Sequence, residues 1–222
     1  MKRTSDKLLA EKLRPEKLRT EKLATVILAA GAASRFGTCK HLIQQDGKTV
    51  LQQRVESVRS AGLQAPLIVT GAWHQEIQLA HPDFGLHLNP NWQQGLGNSI
   101  AFAIGQLPED IEAVLLLLGD QVAVRAEEIQ ALCQHWSELQ ELTCAHYRGA
   151  PGVPAIFPRM LFPQLLRLNG DKGAKALLNK YAGKMIPMAS AAIDIDTPQD
   201  WQNWQRAQHT NNDYTNGEAV WN

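Results

Sequence analysis

An α/β protein with a mainly parallel central sheet and helices on both faces is the fold class this sequence predicts. Three observations predict it. Aliphatic and β-branched runs alternate with stretches of helical spacing. One run, Val114 to Leu118, is apolar at every position, as a strand buried on both faces must be. The first apolar run ends abruptly in small residues, Ala29-Ala30-Gly31-Ala32-Ala33, at the strand end where such sheets bind ligands.

The elements follow in order. Residues 6–25 repeat a five-residue unit, DKLLA-EKLRP-EKLRT-EKLAT. A period of five matches neither a helix nor a heptad, so its leucines form no single stripe, and Pro15 interrupts it. Residues 1–23 therefore read as a charged, flexible extension. Thr25 to Ala30 is the first strand. Thr49 to Ala61 carries Leu51, Val55 and Val58 at helical spacing, with Gly62 as a stop. Ala65 to Thr70 and Phe84 to Leu88 are the second and third strands. Asn98 to Leu107 reads as a helix that Asn98 and Ser99 can cap. Val114 to Leu118 is the fourth strand and Arg125 to Leu139 a further helix. The domain is expected over 24–207, followed by a polar tail, 208–222.

Bulk properties exclude several function classes. Lysine plus arginine equals aspartate plus glutamate, 22 each in 222 residues, so the formal net charge is zero. Nothing in that balance points to a nucleic-acid partner or a membrane anchor. Three cysteines without CxxC spacing suit cytosolic thiols, not a disulfide frame or a zinc site. No apolar run approaches a membrane span, and the N-terminus lacks a signal peptide's apolar core. The expected compartment is the cytoplasm.

The loop after the first strand carries the chemistry. Its small residues let backbone N–H groups approach a ligand and form a concave anion site. Arg35 and Lys40 can add charge-assisted bonds to phosphate oxygens. Neither GxxxxGK[ST] nor GxGxxG is present, so the loop is neither a Walker A nor a dinucleotide fingerprint. In LLLLGDQ, Asp120 stands at the mouth of the central strand, opposite that loop, where a Mg2+ ligand belongs. In AAIDIDTPQDW, Asp194 and Asp196 are two apart and share a face if extended. Thr197-Pro198 then opens a helix. NPNWQQGLGNSI is a glycine-flanked loop, with Gly95 and Gly97 permitting close backbone approach. Cys39 lies beside cations that could activate it, yet reads as passive. His41 could line the loop.

LAAGxxxRxG…K resembles the signature of nucleotidyltransferases that transfer a nucleoside monophosphate on a Rossmann-like domain. Within these, the chain is most similar to the molybdenum cofactor nucleotidyltransferases. DGKTVLQQRVESVRSAGL, NPNWQQGLGNSI, LLLLGDQ, GVPAIFPRMLFPQLLRLNGDKGAKALL and DIDTPQDW follow in the family's order, so the resemblance covers residues 24 to 205. It implies a nucleotide site at Leu28, Ala29, Ala30, Gly31, Ala32, Arg35 and Lys40, with Asn91, Gly97 and Ser99 against the nucleoside. It implies Mg2+ at Asp120 with Asp196, or Asp194 in its place. Arg35, Lys40 and Asp120 would be the catalytic residues. Gly170, Asp171, Gly173 and Lys175 would face the acceptor. The family usually has proline where Val122 stands, a histidine near Val153 and an arginine at Lys175. Members reading LAAG tend to use CTP and LAGG relatives GTP, so Ala30 implies CTP. The implied reaction transfers CMP from CTP to the phosphate of molybdenum-molybdopterin, for a molybdenum hydroxylase. Transfer from GTP, another acceptor, and a non-catalytic cofactor carrier remain open.

Overall fold

The computed structural model describes residues 20–181 and 183–215. Most of the pentapeptide extension and the last part of the polar tail, 216–222, lie outside the described residues. The final repeat unit does not: its Leu23 begins the first strand, and Lys22 pairs with Glu112 at 2.7 Å.

Nine strands form among the described residues: β1 Leu23–Ala29, β2 Gln44–Gln45, β3 Lys48–Thr49, β4 Leu67–Thr70, β5 Leu86–Leu88, β6 Ala113–Leu118, β7 Thr143–Tyr147, β8 Ala150–Pro158 and β9 Lys184–Pro187. Seven make the main sheet in the order β5-β4-β1-β6-β8-β7-β9, and β2 pairs with β3 apart from it. Every main-sheet strand except β8 points the same way. The hairpin β7–β8 and strand β9 carry no clear signal in the sequence. Pro151, Pro154 and Pro158 interrupt β8, and β9 is only four residues long.

The helices are α1 Val50–Ser60, α2 His74–Ala80, α3 Leu96–Gly105, α4 Ala126–Leu139, α5 Phe162–Leu165, α6 Lys175–Tyr181 and α7 Pro198–Thr215. They cover both faces of the sheet, and side-chain alternation decides which. Ile27, Leu115, Leu117 and Ile156 point to one core with Leu51 and Val55 of α1, Ile77 of α2 and Leu132 of α4. Val26, Leu28, Val114, Leu116 and Phe157 point to the other, with Ile100 and Ile104 of α3, Leu165 of α5 and Leu178 of α6. Each such leucine taken fully out of water contributes about 2 kcal/mol, so β6 is pinned from both sides.

Two boundaries differ from expectation. α3 opens at Leu96, not Asn98, and its N-cap is Gly95 with no side-chain cap. Asn98 and Ser99 fall inside the first turn, where both meet Asn89 instead, at 3.1 and 3.2 Å. α7 continues past the expected domain limit at 207 to Thr215. Among the described residues no helix is long and apolar enough to cross a membrane.

Candidate active site

β1 and β6 lie side by side in parallel, with Leu28 opposite Leu118. Their carboxyl ends therefore stop level, and the loop after Ala29 faces Asp120. That loop is pinned at two points. The Ala72 N–H donates to Ala30 O at 3.2 Å, and Trp73 Nε1 donates to Ala32 O at 2.8 Å. Among the described residues, the N–H groups of Gly31 to Ser34 donate to no protein acceptor. A Cβ added at Gly31 would meet open space. An anion could approach these donors without obstruction.

Three distant segments meet in one charge cluster. Lys40 Nζ lies 2.5 Å from Asp120 Oδ2 and 3.0 Å from Asp196 Oδ1. Arg35 Nη2 lies 2.8 Å from Asp196 Oδ2. Lys40 and Asp120 are largely buried, whereas Arg35 is exposed. Burial disfavours the Lys40 ammonium, but Asp120 and Asp196 outweigh it and raise its pKa above the ordinary lysine value. Asp194 turns elsewhere, to Arg148 at 3.6 Å. Asp200 caps α7: its Oδ2 accepts from the Thr197 hydroxyl and N–H, both at 2.7 Å, and from the Asp196 N–H at 3.2 Å. The Thr197 hydroxyl bond leads in holding the Asp200 carboxyl below its usual range.

Asp120 and Asp196 could hold a divalent cation. Among the described residues Asp120 Oδ1 is buried with no hydrogen-bond partner, although a buried carboxylate oxygen is costly to leave unmet. Among the described residues no group of three or more His, Cys, Asp or Glu could hold a metal. A cation on Asp120 and Asp196 would thus complete its shell with phosphate oxygens and water, the habit of Mg2+.

Two cavities flank this cluster. One, of about 370 Å³, is lined by Leu28, Ala30, Gly31, Lys40, Ser99 and Asp120, and also by Trp92, Leu96, His41 and Asp171. The other, of about 590 Å³, is lined by Arg35, Arg148, Asp194, Asp196, Asp200 and Trp204. Ala29, Ala32, Asn91, Gly97, Gly170, Gly173 and Lys175 line neither.

The glycines near the smaller cavity serve packing between two loops. A Cβ at Gly97 would lie 2.8 Å from Asn169 N, and one at Gly95 would lie 2.5 Å from Asp171 Oδ1. The Gly97 N–H donates to Gly170 O at 2.8 Å, and the Gly170 N–H donates to Gln94 O at 2.9 Å. Gly173, at φ +53, gives room to Leu96. The segment expected beside the nucleoside and the segment expected beside the acceptor are one zipped wall, with Asp171 at the cavity.

Several participants were not singled out from the sequence. Trp92 sits within NPNWQQG and packs over Gly71, where any Cβ would strike its ring at 2.6 Å. Asn89, buried, ties Asn98 and Ser99 to the Asn91 N–H. Arg54 shares the buried face of α1 with Leu51, Val55 and Val58, and that position was its one sequence signal. His41 lines the smaller cavity and is buried against Gly119; burial lowers its pKa to about 4 and keeps it neutral. Cys39 is buried, and burial raises its thiol pKa.

The chain is similar to known proteins over most of its length. Residues 25–185 match the MobA-like NTP transferase domain. Purine catabolism protein PucB of Bacillus subtilis is 25% identical over 197 residues, spanning 82% of this chain and 95% of that protein. The manganese complex of Rv0371c from Mycobacterium tuberculosis is 23% identical with a TM-score of 0.69, over 82% of this chain and 97% of that one. CMP:2-keto-3-deoxy-manno-octonic acid synthetase, solved with CTP, is 13% identical with a TM-score of 0.68, over 86% of this chain and 100% of that one. The fold is the α/β, Rossmann-like nucleotidyltransferase fold.

Proposed function

The chain belongs to the MobA-like NTP transferase family and is a nucleotidyltransferase, and from that premise we propose that it transfers CMP from CTP to the phosphate of molybdenum-molybdopterin. The observation that carries the reading is the buried, unpartnered Asp120 Oδ1, facing a donor-rich loop and held beside Lys40 and Asp196.

In this reading CTP lies in the smaller cavity, its ribose and base between Ser99, Trp92 and Leu96. Its phosphates meet the N–H groups of Gly31 to Ala33, Arg35 and Lys40. A phosphate oxygen of the acceptor attacks the α-phosphorus in line; the new P–O bond forms as the bond to the β-phosphate bridging oxygen breaks, and pyrophosphate leaves with that electron pair. Such a step asks the protein mainly for alignment and charge stabilisation. Asp120 and Asp196 would hold Mg2+, which when bound neutralises charge developing on the phosphate oxygens. Lys40 would direct its ammonium to the departing pyrophosphate. Arg35 does the same from the loop. Asp171 and the rim at Gly170, Gly173 and Lys175 would orient the pterin.

Ala30 supports the choice of base. It is buried at the cavity floor, and its methyl group narrows the space beside the base, favouring a pyrimidine. The B. subtilis relative is named for purine catabolism, which suits a recipient such as a purine-oxidising molybdenum hydroxylase. The deciding experiment is pyrophosphate release from CTP and separately from GTP, with Mg2+ and molybdenum-loaded molybdopterin. Release with CTP alone is expected. Release with GTP alone overturns the base assignment. No release with either, in protein that binds the pterin, replaces the enzyme reading with that of a carrier.

A further inference from the structure

Arg54, in the middle of α1, is 3% exposed. A buried guanidinium costs several kcal/mol unless its donors are met. Nη1 donates to Val124 O at 2.7 Å, Nη2 donates to Gln121 O, and Nε has no partner. No carboxylate stands within ion-pair distance of it among the described residues. An aliphatic side chain would fill this place in α1 at lower cost, so the gain must lie in what the two bonds hold.

They hold the turn that follows Asp120. That turn contains no proline to stiffen it. It is also the point from which Asp196 is hung. Asp120 O accepts the Ile195 N–H at 3.2 Å. Buried Gln121 donates through Nε2 to Val153 O at 2.8 Å and to Ala191 O at 2.9 Å. The first bond fixes the turn to β8 and the second to the segment leading into Asp194 to Asp196. The relative placement of the two carboxylates therefore passes through residues 120–124, and Arg54 grips that stretch from α1 at Gln121 and Val124.

We propose that Arg54 and Gln121 are positioning residues that fix the separation of the Asp120 and Asp196 carboxylates and so set the affinity of the site for its divalent cation. The inference rests on the reading of those two carboxylates as the cation's protein ligands. Neither residue touches the nucleotide cavity. Their effect should appear in metal affinity and in the rate that depends on it, and only weakly in nucleotide affinity.

The test is Mn2+ binding, followed by electron paramagnetic resonance with CTP present, in Arg54→Lys, Arg54→Met, Gln121→Leu and Asp120→Asn proteins. Far-UV circular dichroism at the same temperature confirms folding. Loss of a residue that orients metal ligands typically weakens binding about 10–100-fold. Weakening of about tenfold or more is expected for Arg54→Met and Gln121→Leu. Arg54→Lys, which keeps the charge but loses the planar fork, should fall between them and the unaltered protein. The KM for CTP at saturating Mn2+ should move less than about threefold in each. Should Arg54→Met fail to fold, Arg54→Lys and Gln121→Leu decide. Binding lost in Asp120→Asn but unchanged in the folded Arg54 and Gln121 variants overturns the positioning role alone. Binding that survives Asp120→Asn overturns the cation site beneath it. Neither outcome depends on which acceptor the enzyme uses.

Discussion

Lys40 Nζ stands between two carboxylates 76 residues apart in the chain, Asp120 and Asp196, at 2.5 and 3.0 Å. An ammonium thus occupies the place between the acids that a divalent cation would share. The two carboxylates hold Lys40 charged in a largely buried position. Their pairing compensates the cluster, which limits the cost of burying charge.

Asp120→Asn should therefore lower turnover by about a thousandfold or more while leaving the fold intact, because Lys40 keeps its bond to Asp196. Lys40→Ala should do the same and, in addition, leave two carboxylates facing each other. Pyrophosphate release and thermal melting of the purified variants measure both effects. Retained turnover in Asp120→Asn would refute the cation-site assignment.

Arg35 is the exposed partner, and its pairing with Asp196 adds little to stability. Arg35→Lys should leave the melting temperature unchanged. It should still lower kcat/KM for the nucleotide by roughly tenfold, since an ammonium cannot make the guanidinium's two-pronged contact with phosphate. Steady-state kinetics separate the two readouts.

Ala30→Gly tests the base assignment directly. Removing the methyl from the cavity floor should raise the ratio of GTP to CTP use by about tenfold, at a stability cost of about 0.5–1 kcal/mol. An unchanged ratio would show that the base is read elsewhere, with Trp92 and Leu96 the next places to look.

Gly97→Ala should disturb both loops of the zipped wall at once. Its Cβ would press on Asn169 N at 2.8 Å, and neither backbone can yield alone. A destabilisation of about 1–3 kcal/mol is expected from urea unfolding, with a raised KM for the nucleotide because Ser99 and Trp92 shift together.

His41 gives the protein a pH dependence of known sign. In the folded state its pKa is lowered to about 4 by burial, against 6.5 for an ordinary histidine. Between those values the unfolded chain binds the proton and the folded one does not. Stability is therefore full above pH 6.5 and is lost as pH falls toward 4, at up to about 1.4 kcal/mol per pH unit. Metal-free protein at pH 5 should be less stable than at pH 7.5, and His41→Phe should remove on the order of 1–2 kcal/mol of that difference. Paired urea titrations check it; an equal loss in both proteins would show that His41 does not stay neutral.

The chain's own order of residues determined the elements whose environment is uniform along their length. β6 is apolar at every position because both its faces are buried, and α1 and α4 carry one apolar stripe each; these patterns are local and survive without knowledge of the partner. The loop of small residues and the two cations that follow it were legible for the same reason, since a run of small residues between a strand and Arg35 is a local fact. Tertiary structure decided what depends on distant backbone. Proline-bearing β8 becomes a strand only because β6 and β7 flank it. At Gly95 and Gly97 the Asn169–Asp171 segment occupies the space a side chain would need. Asp196 meets Lys40, whereas Asp194 lies beside Arg148. Arg54, one cation within a helical stripe in the sequence, becomes the brace under Asp120 only when α1 packs below the turn. Pairings between residues 60 to 160 positions apart leave no periodicity behind, and only the packed sheet brings them within hydrogen-bond reach.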